Sequence, residues 1–172
     1  MNDRTSSSGR DMPWLLEDEW AITRLMKHYC RLLDSGGVDR IAAETFAADG
    51  VADYQGHVTT GRQEINDYLV ANIPKFDTTA HLVANVWIHW CDGEQAEVTS
   101  NTTVWHWWTD EEKKVDGLTN FVQIVKNDDR LVRTDEEGWR IVHRRVNGIA
   151  SPGSIGDARI RRDLIVEGAG GQ

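Results

Sequence analysis

The chain has 172 residues, with 19 basic and 28 acidic side chains and a formal net charge of −9. This length is typical of a single domain that buries about 70% of its unfolded surface and can enclose a cavity. The excess of acid disfavours a nucleic-acid-binding surface, and no apolar stretch reaches the roughly 18 residues that a membrane span needs. Residues 1–12 are polar and serine-rich without a hydrophobic signal region. We therefore expect a disordered leader on a soluble, cytoplasmic protein.

The first half of the chain predicts three helices. Residues 13–33 carry apolar side chains at helical spacing, and a glycine-rich break ends this long amphipathic helix. Residues 38–46 predict a second, short helix, and residues 61–73 predict a third that ends at a proline. Between the last two, residues 51–55 predict a brief strand.

The second half predicts strands, because Val, Ile, Thr and Trp alternate with polar residues. We predict extended strands at residues 79–90, 95–109, 115–126 and 139–147, with a turn at 127–130 and a short extended piece at 131–134. Helices followed by strands favour an α+β domain, in which a curved antiparallel or mixed sheet wraps around the N-terminal helices as a cone and leaves a pocket.

The domain is expected over residues 13–147, followed by a tail over residues 148–172. This tail is rich in glycine but also carries apolar and basic side chains. Such a segment could cover the pocket mouth, dock on a neighbouring subunit or remain a loosely held terminus.

Tryptophan is unusually frequent, with eight Trp against three Tyr and three Phe. A dense group of them consists of Trp87, Trp90, Trp105, Trp107 and Trp108. Such a group suits a cavity for a flat or hydrophobic ligand, although a large core or a subunit interface would also use it. The two cysteines, Cys30 and Cys91, lie in no CxxC pair, and we expect both to be buried thiols.

The common signatures of nucleotide, zinc, hydrolase and calcium sites are absent from the sequence, so any site must be assembled from dispersed residues. Asp34 closes the first helix within one turn of Tyr29, and His81 begins the first long strand. A sheet wrapped on that helix could bring Asp34 and His81 together. The alternatives are purely structural: Asp34 could cap its own helix, and His81 could be a hydrogen-bonded core residue.

Strand alternation adds further candidates. Counting by twos from His81 places Asn85 and Trp87 on the same face, as a polar anchor and a cavity wall. The same rule places His106 on the face opposite its tryptophan neighbours.

Several segments carry a family resemblance, namely residues 29–34, 46–50, 61–65, 79–85, 129–134 and 138–141. In these segments the chain resembles the SnoaL-like branch of the nuclear transport factor 2-like superfamily, which includes scytalone dehydratases, bile acid dehydratases, hexachlorocyclohexane dehydrochlorinases and ketosteroid isomerases. The resemblance implies a cystatin-like α+β barrel. It also implies a homodimer or homotrimer.

The resemblance further implies an Asp–His catalytic dyad, whose roles fall on Asp34 and His81. His81 would be the general base and Asp34 the group that orients it, with Tyr29 as a third catalytic residue beside them. The predicted substrate-binding residues are Tyr54, His106, Asn85 and Trp87.

These residues predict a cofactor-independent lyase, most simply a dehydratase, that acts on a hydrophobic, aromatic or polycyclic small molecule without a metal ion. Isomerisation, cyclisation or carbon–carbon (deformylating) cleavage would need nearly the same site. A non-catalytic module that binds a small molecule is the alternative of a different class.

Overall fold

A computed structural model describes residues 12–107 and 120–153. The helices are α1 (Met12–Asp34), α2 (Ile41–Thr45) and α3 (Gly61–Asn72), with short 3-10 turns at Val38–Arg40 and Ile73–Lys75. The strands are β1 (Phe46–Tyr54), β2 (His57–Thr60), β3 (Thr78–Cys91), β4 (Gln95–Trp107), β5 (Asn120–Thr134) and β6 (Gly138–Gly153). No helix in this part of the chain is both long and apolar enough to span a membrane.

The six strands form one mixed sheet in the order β2-β1-β6-β5-β4-β3. β1 pairs with β6 in parallel, and the other pairs are antiparallel. Shifts of register interrupt β3 and the pairing of β5 with β6, and such β-bulges bend and twist strands. The sheet curves around the helices but is not closed, since β2 and β3 are its two edges. The predicted α+β architecture is confirmed.

Helix α1 supplies one side of the core. Its apolar residues recur every three or four positions, and Ile22, Met26 and Leu32 are at most 1% exposed. Each such side chain contributes about 1.5–3 kcal/mol through burial. The helix ends in a Schellman motif, in which the Gly37 amide donates to the Leu32 carbonyl and Gly36 takes a φ of +74°. Glycine at that position lets the chain turn sharply back toward the sheet.

Strand β5 differs from its prediction. Residues 127–130 were expected to turn, but β5 runs unbroken from Asn120 to Thr134. That expectation was wrong because polar residues were taken as a turn signal. Asn127 and Asp129 instead point inward, where polar side chains of other strands bind them.

Other element boundaries also differ from the predicted ones. Strand β6 extends six residues past the predicted end at Asn147, and β1 already begins at Phe46, where a helix was predicted. The β1–β2 hairpin was not predicted, and Gln55 and Gly56 form its turn with φ values of +56° and +96°. Residues 1–11, 108–119 and 154–172 lie outside the described residues, and with them most of the predicted leader and tail.

Candidate active site

The end of α1 and the start of β3 bring Asp34 and His81 together. The Asp34 carboxylate accepts hydrogen bonds from the His81 backbone amide at 2.8 Å and from His81 Nδ1 at 2.6 Å. The Thr79 hydroxyl donates to the same carboxylate at 2.9 Å. Asp34 is thus directed toward β3, while backbone bonds complete the cap of α1.

This contact determines the protonation of the imidazole. Because a carboxylate only accepts hydrogen bonds, we assign the ring proton to His81 Nδ1, which leaves a lone pair on Nε2. The His81 side chain is 7% exposed, against 28% for Asp34. Burial lowers the pKa of His81 below its ordinary 6.5, and the hydrogen bond to Asp34 opposes that shift only in part. His81 is therefore neutral at pH 7.

His81 lines a cavity of about 400 Å³ enclosed between the helices and the concave face of the sheet. Much of the wall is apolar, and its members include Met26, Leu33, Leu69, Val83, Val104 and Val125. A cavity of this size and lining suits a small hydrophobic ligand.

Two tyrosine hydroxyls meet in the same cavity. Tyr29 Oη and Tyr54 Oη are 3.2 Å apart, and the Tyr54 ring stacks on Tyr68 with a centroid distance of 4.7 Å. Burial raises the pKa of Tyr29, and that of Tyr54 well above 10. Both phenols therefore stay protonated at neutral pH and can donate hydrogen bonds.

His106 also reaches this cavity. It is 8% exposed, its ring lies 6.0 Å from the His81 ring between centroids, and Phe76 packs against it at 3.9 Å. Burial, together with the nearby His81, lowers the pKa of His106 to about 4. A neutral His106 can donate a hydrogen bond but does not supply a positive charge.

Asn85 and Trp87 do not line the cavity that contains His81. A bulge interrupts β3 between Ala84 and Trp87, and Asn85 takes a φ of +49°. The bulge reverses the alternation, so Trp87 is 66% exposed and Val86 packs on the core in its place. The prediction that Asn85 and Trp87 share the face of His81 is wrong.

The tryptophan group does not line the cavity either. Among the described lining residues there is no tryptophan, and Trp90 is 46% exposed. Trp105 and Trp107 are half-buried on the face of β4 opposite His106, and Trp108 lies outside the described residues. None of the four described tryptophans therefore lines the cavity of His81, whereas Trp87 and Trp90 line a separate, open pocket beside Val86 and Cys91.

Sequence reasoning missed a buried ion pair at the cavity wall. Arg144 and Asp129 are 2% and 3% exposed, and the guanidinium Nε and Nη2 donate to the two carboxylate oxygens at 2.8 and 2.9 Å. The guanidinium carbon also lies 4.1 Å from the centre of the Tyr29 ring. Alternation could not have located Arg144, because a register shift of β6 against β5 precedes it.

A second missed group is a polar strip in the cavity wall. The Asn127 amide donates to the hydroxyls of Ser100 at 3.3 Å and Thr102 at 3.0 Å. Here a signal existed, since Ser100 and Thr102 have the same parity on β4 as His106.

Cys30 is a buried thiol of the cavity wall, as predicted, whereas Cys91 is only half-buried. Burial raises the pKa of Cys30 to about 11, so its thiol stays protonated. Within residues 12–107 and 120–153, no group of three or more His, Cys, Asp or Glu side chains could hold a metal ion.

Known structures share this fold. A scytalone dehydratase-like protein from Novosphingobium aromaticivorans matches with a TM-score of 0.72 and 24% identity, over 88% of this chain and 94% of its own. A hexachlorocyclohexane dehydrochlorinase of type 3 from Novosphingobium barchaimii matches with a TM-score of 0.71 and 12% identity, over 87% and 99% of the two chains. A Kribbella flavida protein matches with a TM-score of 0.72 and 19% identity, over 80% and 94%.

None of the curated protein sequences matches the chain. The model of the SnoaL-like domain family matches residues 14–145, which span every helix and nearly the whole sheet. The chain belongs to the SnoaL-like family.

Proposed function

We propose that this protein is a cofactor-independent lyase of the dehydratase type, acting on a hydrophobic, aromatic small molecule. The observation that carries the proposal is the 2.6 Å contact between Asp34 and His81 Nδ1, which leaves Nε2 as a free base in an apolar cavity. The dehydratase and dehydrochlorinase names of structural neighbours support the reaction class by analogy only.

In the proposed first step, His81 Nε2 removes a proton from a substrate carbon. That carbon lies next to an activating group, which is either a carbonyl or a phenol. Asp34 keeps the ring oriented and stabilises the imidazolium that forms. Positioned base catalysis of this kind is worth about 10²- to 10⁴-fold in rate.

The electrons of the broken C–H bond first move onto the substrate oxygen as an enolate. The hydroxyls of Tyr29 and Tyr54 are suited to stabilise that oxygen because burial keeps both protonated. In the second step the enolate collapses, the carbon–carbon double bond forms, and the C–O bond to the neighbouring hydroxyl breaks. That hydroxyl takes the proton back from the His81 imidazolium, which restores the neutral base, and leaves as water, while the neutral His106 N–H is suited to donate a hydrogen bond to it.

The test uses cyclic β-hydroxy ketones with fused aromatic rings, whose dehydration gives a conjugated enone that absorbs in the ultraviolet. The parent ketones without the hydroxyl are incubated in deuterated water, where NMR reports exchange of the proton next to the carbonyl. The wild-type protein should catalyse both reactions, and His81→Ala should abolish them while His89→Ala, on the exposed outer face, should not. Undiminished exchange in a folded His81→Ala variant would refute the proposal.

The product distinguishes the related reactions, which all begin with the same proton transfer. An isomer of unchanged mass indicates an isomerase or cyclase, and a lost one-carbon fragment indicates carbon–carbon cleavage. A ketone that binds but neither exchanges nor reacts favours a binding module instead.

A further inference from the structure

The cavity differs in charge from the rest of the protein. The chain carries 28 acidic and 19 basic residues, yet none of the described lining residues is Asp or Glu. Two described lining residues, Lys75 and Arg144, are cations. The charge of the cavity is therefore opposite to the net charge of the chain.

Of the two cations, Arg144 is already neutralised. The Asp129 carboxylate binds it through two hydrogen bonds of 2.8 and 2.9 Å, and both groups are buried. A buried pair with this geometry has no net charge to offer a ligand.

The second cation of the lining is Lys75. It lies in the 3-10 turn after α3, and its Nζ donates to the neutral Oδ1 of Asn72 at 2.8 Å. No ion pair within residues 12–107 and 120–153 involves Lys75. Because Lys75 is exposed and also lines the cavity, it marks the opening toward solvent.

Two neutral amide side chains of the cavity lining do not select for charge. Gln55 and Gln123 line the cavity, and their amide groups lie 3.5 Å apart. An amide offers both donors and an acceptor, so it binds neutral and charged groups alike. Among the described lining residues, a preference for charge can therefore come from Lys75.

We infer that the ligand of this cavity carries a carboxylate or a similar anionic oxygen group, which binds beside Lys75 while the hydrophobic part fills the interior. The inference rests on the proposed function, because it takes this cavity as the substrate site. It narrows the substrate class to anionic amphipathic molecules with an aromatic or alicyclic body.

The experiment compares two probes that differ in charge but hardly in shape, naphthylacetate and naphthylacetamide. Calorimetry measures the affinity of each probe for the full-length protein at low ionic strength. The wild-type protein should prefer the carboxylate, and Lys75→Met should weaken it about fivefold while leaving the amide unchanged. The fivefold figure reflects a charge-assisted hydrogen bond at a partly exposed site.

Two matched variants serve as controls. Gln123→Met removes a neutral polar group from the cavity lining and should affect both probes equally. Lys126→Met changes the net charge as much as Lys75→Met does. Lys126, however, does not line the cavity, and its Nζ pairs with Asp128 Oδ1 at 2.8 Å. Lys126→Met should therefore leave both affinities unchanged.

The inference is overturned if the wild-type protein shows no preference for the carboxylate, whether it binds both probes equally or neither. It is also overturned if Lys75→Met weakens both probes alike, or if Lys126→Met matches its effect. Measuring the ketone reactions and the binding of both probes on the same wild-type protein separates the two proposals. Charge preference without catalysis would reject only the proposed lyase, and catalysis without charge preference would reject only this inference.

Discussion

Asp34 holds His81 at both its ring and its backbone. One carboxylate oxygen accepts from Nδ1 at 2.6 Å and the other from the main-chain amide at 2.8 Å. The two bonds fix the position of the strand relative to α1 as well as the rotation of the imidazole. The same carboxylate therefore anchors β3 to the helix and sets the tautomer of the candidate base.

Replacing Asp34 with Asn should disturb this tautomer. The two His81 donors bind different carboxylate oxygens, and asparagine replaces one of these oxygens with an NH2 group, which cannot accept a hydrogen bond. Nitrogen-15 NMR should show His81 protonated at Nδ1 in the wild-type protein and a mixture of tautomers in Asp34→Asn. With a β-hydroxy ketone that the wild-type protein dehydrates, the dehydration rate should fall by about 10²-fold in Asp34→Asn. An unchanged nitrogen spectrum in a folded variant would contradict the assignment.

Stability should fall in mild acid because His106 is buried in the neutral form. Its pKa is about 4 in the folded protein, against 6.5 for an ordinary histidine. Between these values the unfolded chain binds a proton that the folded protein does not, so stability is lost as the pH falls. From pH 7 to pH 5 this amounts to about 2 kcal/mol in the free energy of unfolding.

Urea unfolding at pH 7, 6 and 5 measures this loss. His106→Gln should flatten the pH dependence, because glutamine has no charged form. His89→Gln, at an exposed position, should keep the wild-type dependence. Equal pH dependence in the wild-type protein and His106→Gln would show that His106 does not carry the effect.

The tyrosines should resist ionisation. The chain has three, and burial raises the pKa of Tyr29, Tyr54 and Tyr68 above the ordinary value of 10.0. Absorbance of tyrosinate in the native protein should therefore stay below half of its final value at pH 10. In urea the midpoint should return to about 10. A native midpoint at or below that value would show that the phenols are not the protonated donors required here.

The ion pair between Arg144 and Asp129 should be sensitive to the loss of one partner. Asp129→Asn leaves a buried guanidinium without its counter-charge, which costs about 3–5 kcal/mol in the free energy of unfolding. The double replacement Asp129→Leu with Arg144→Met should recover most of that loss, because no buried charge remains. Urea unfolding of Asp129→Leu, Arg144→Met and the double variant gives the coupling between the two residues.

Lys126→Met is the matched control for this pair. Its partner Asp128 lies at a similar distance of 2.8 Å, but the side chains are 46% and 39% exposed. Water already screens such a pair, so its loss should lower the free energy of unfolding by less than about 1 kcal/mol. If the double Asp129–Arg144 variant loses as much free energy of unfolding as its two single variants together, the coupling is contradicted.

Residues at the ends of elements were easier to predict than residues within the sheet. The glycine break and the strand pattern placed Asp34 and His81 at the ends of their elements, whereas their pairing as a dyad was implied by the family resemblance. Asn85 and Trp87 were misplaced because a bulge, which leaves no clear mark in the sequence, reverses the alternation of β3. Arg144 was missed for a related reason, since its orientation depends on the pairing of β6 with β5.

The sequence by itself determined the three helices, the strand-rich second half, the amphipathic face of α1 and the alternation that turns His106 inward. These are local properties, because periodicity and turn chemistry act over a few residues. Only the tertiary structure decided which dispersed polar groups meet: Asp34 with His81, Tyr29 with Tyr54, and Asp129 with Arg144. Such contacts join distant parts of the chain, so they depend on strand register and sheet curvature.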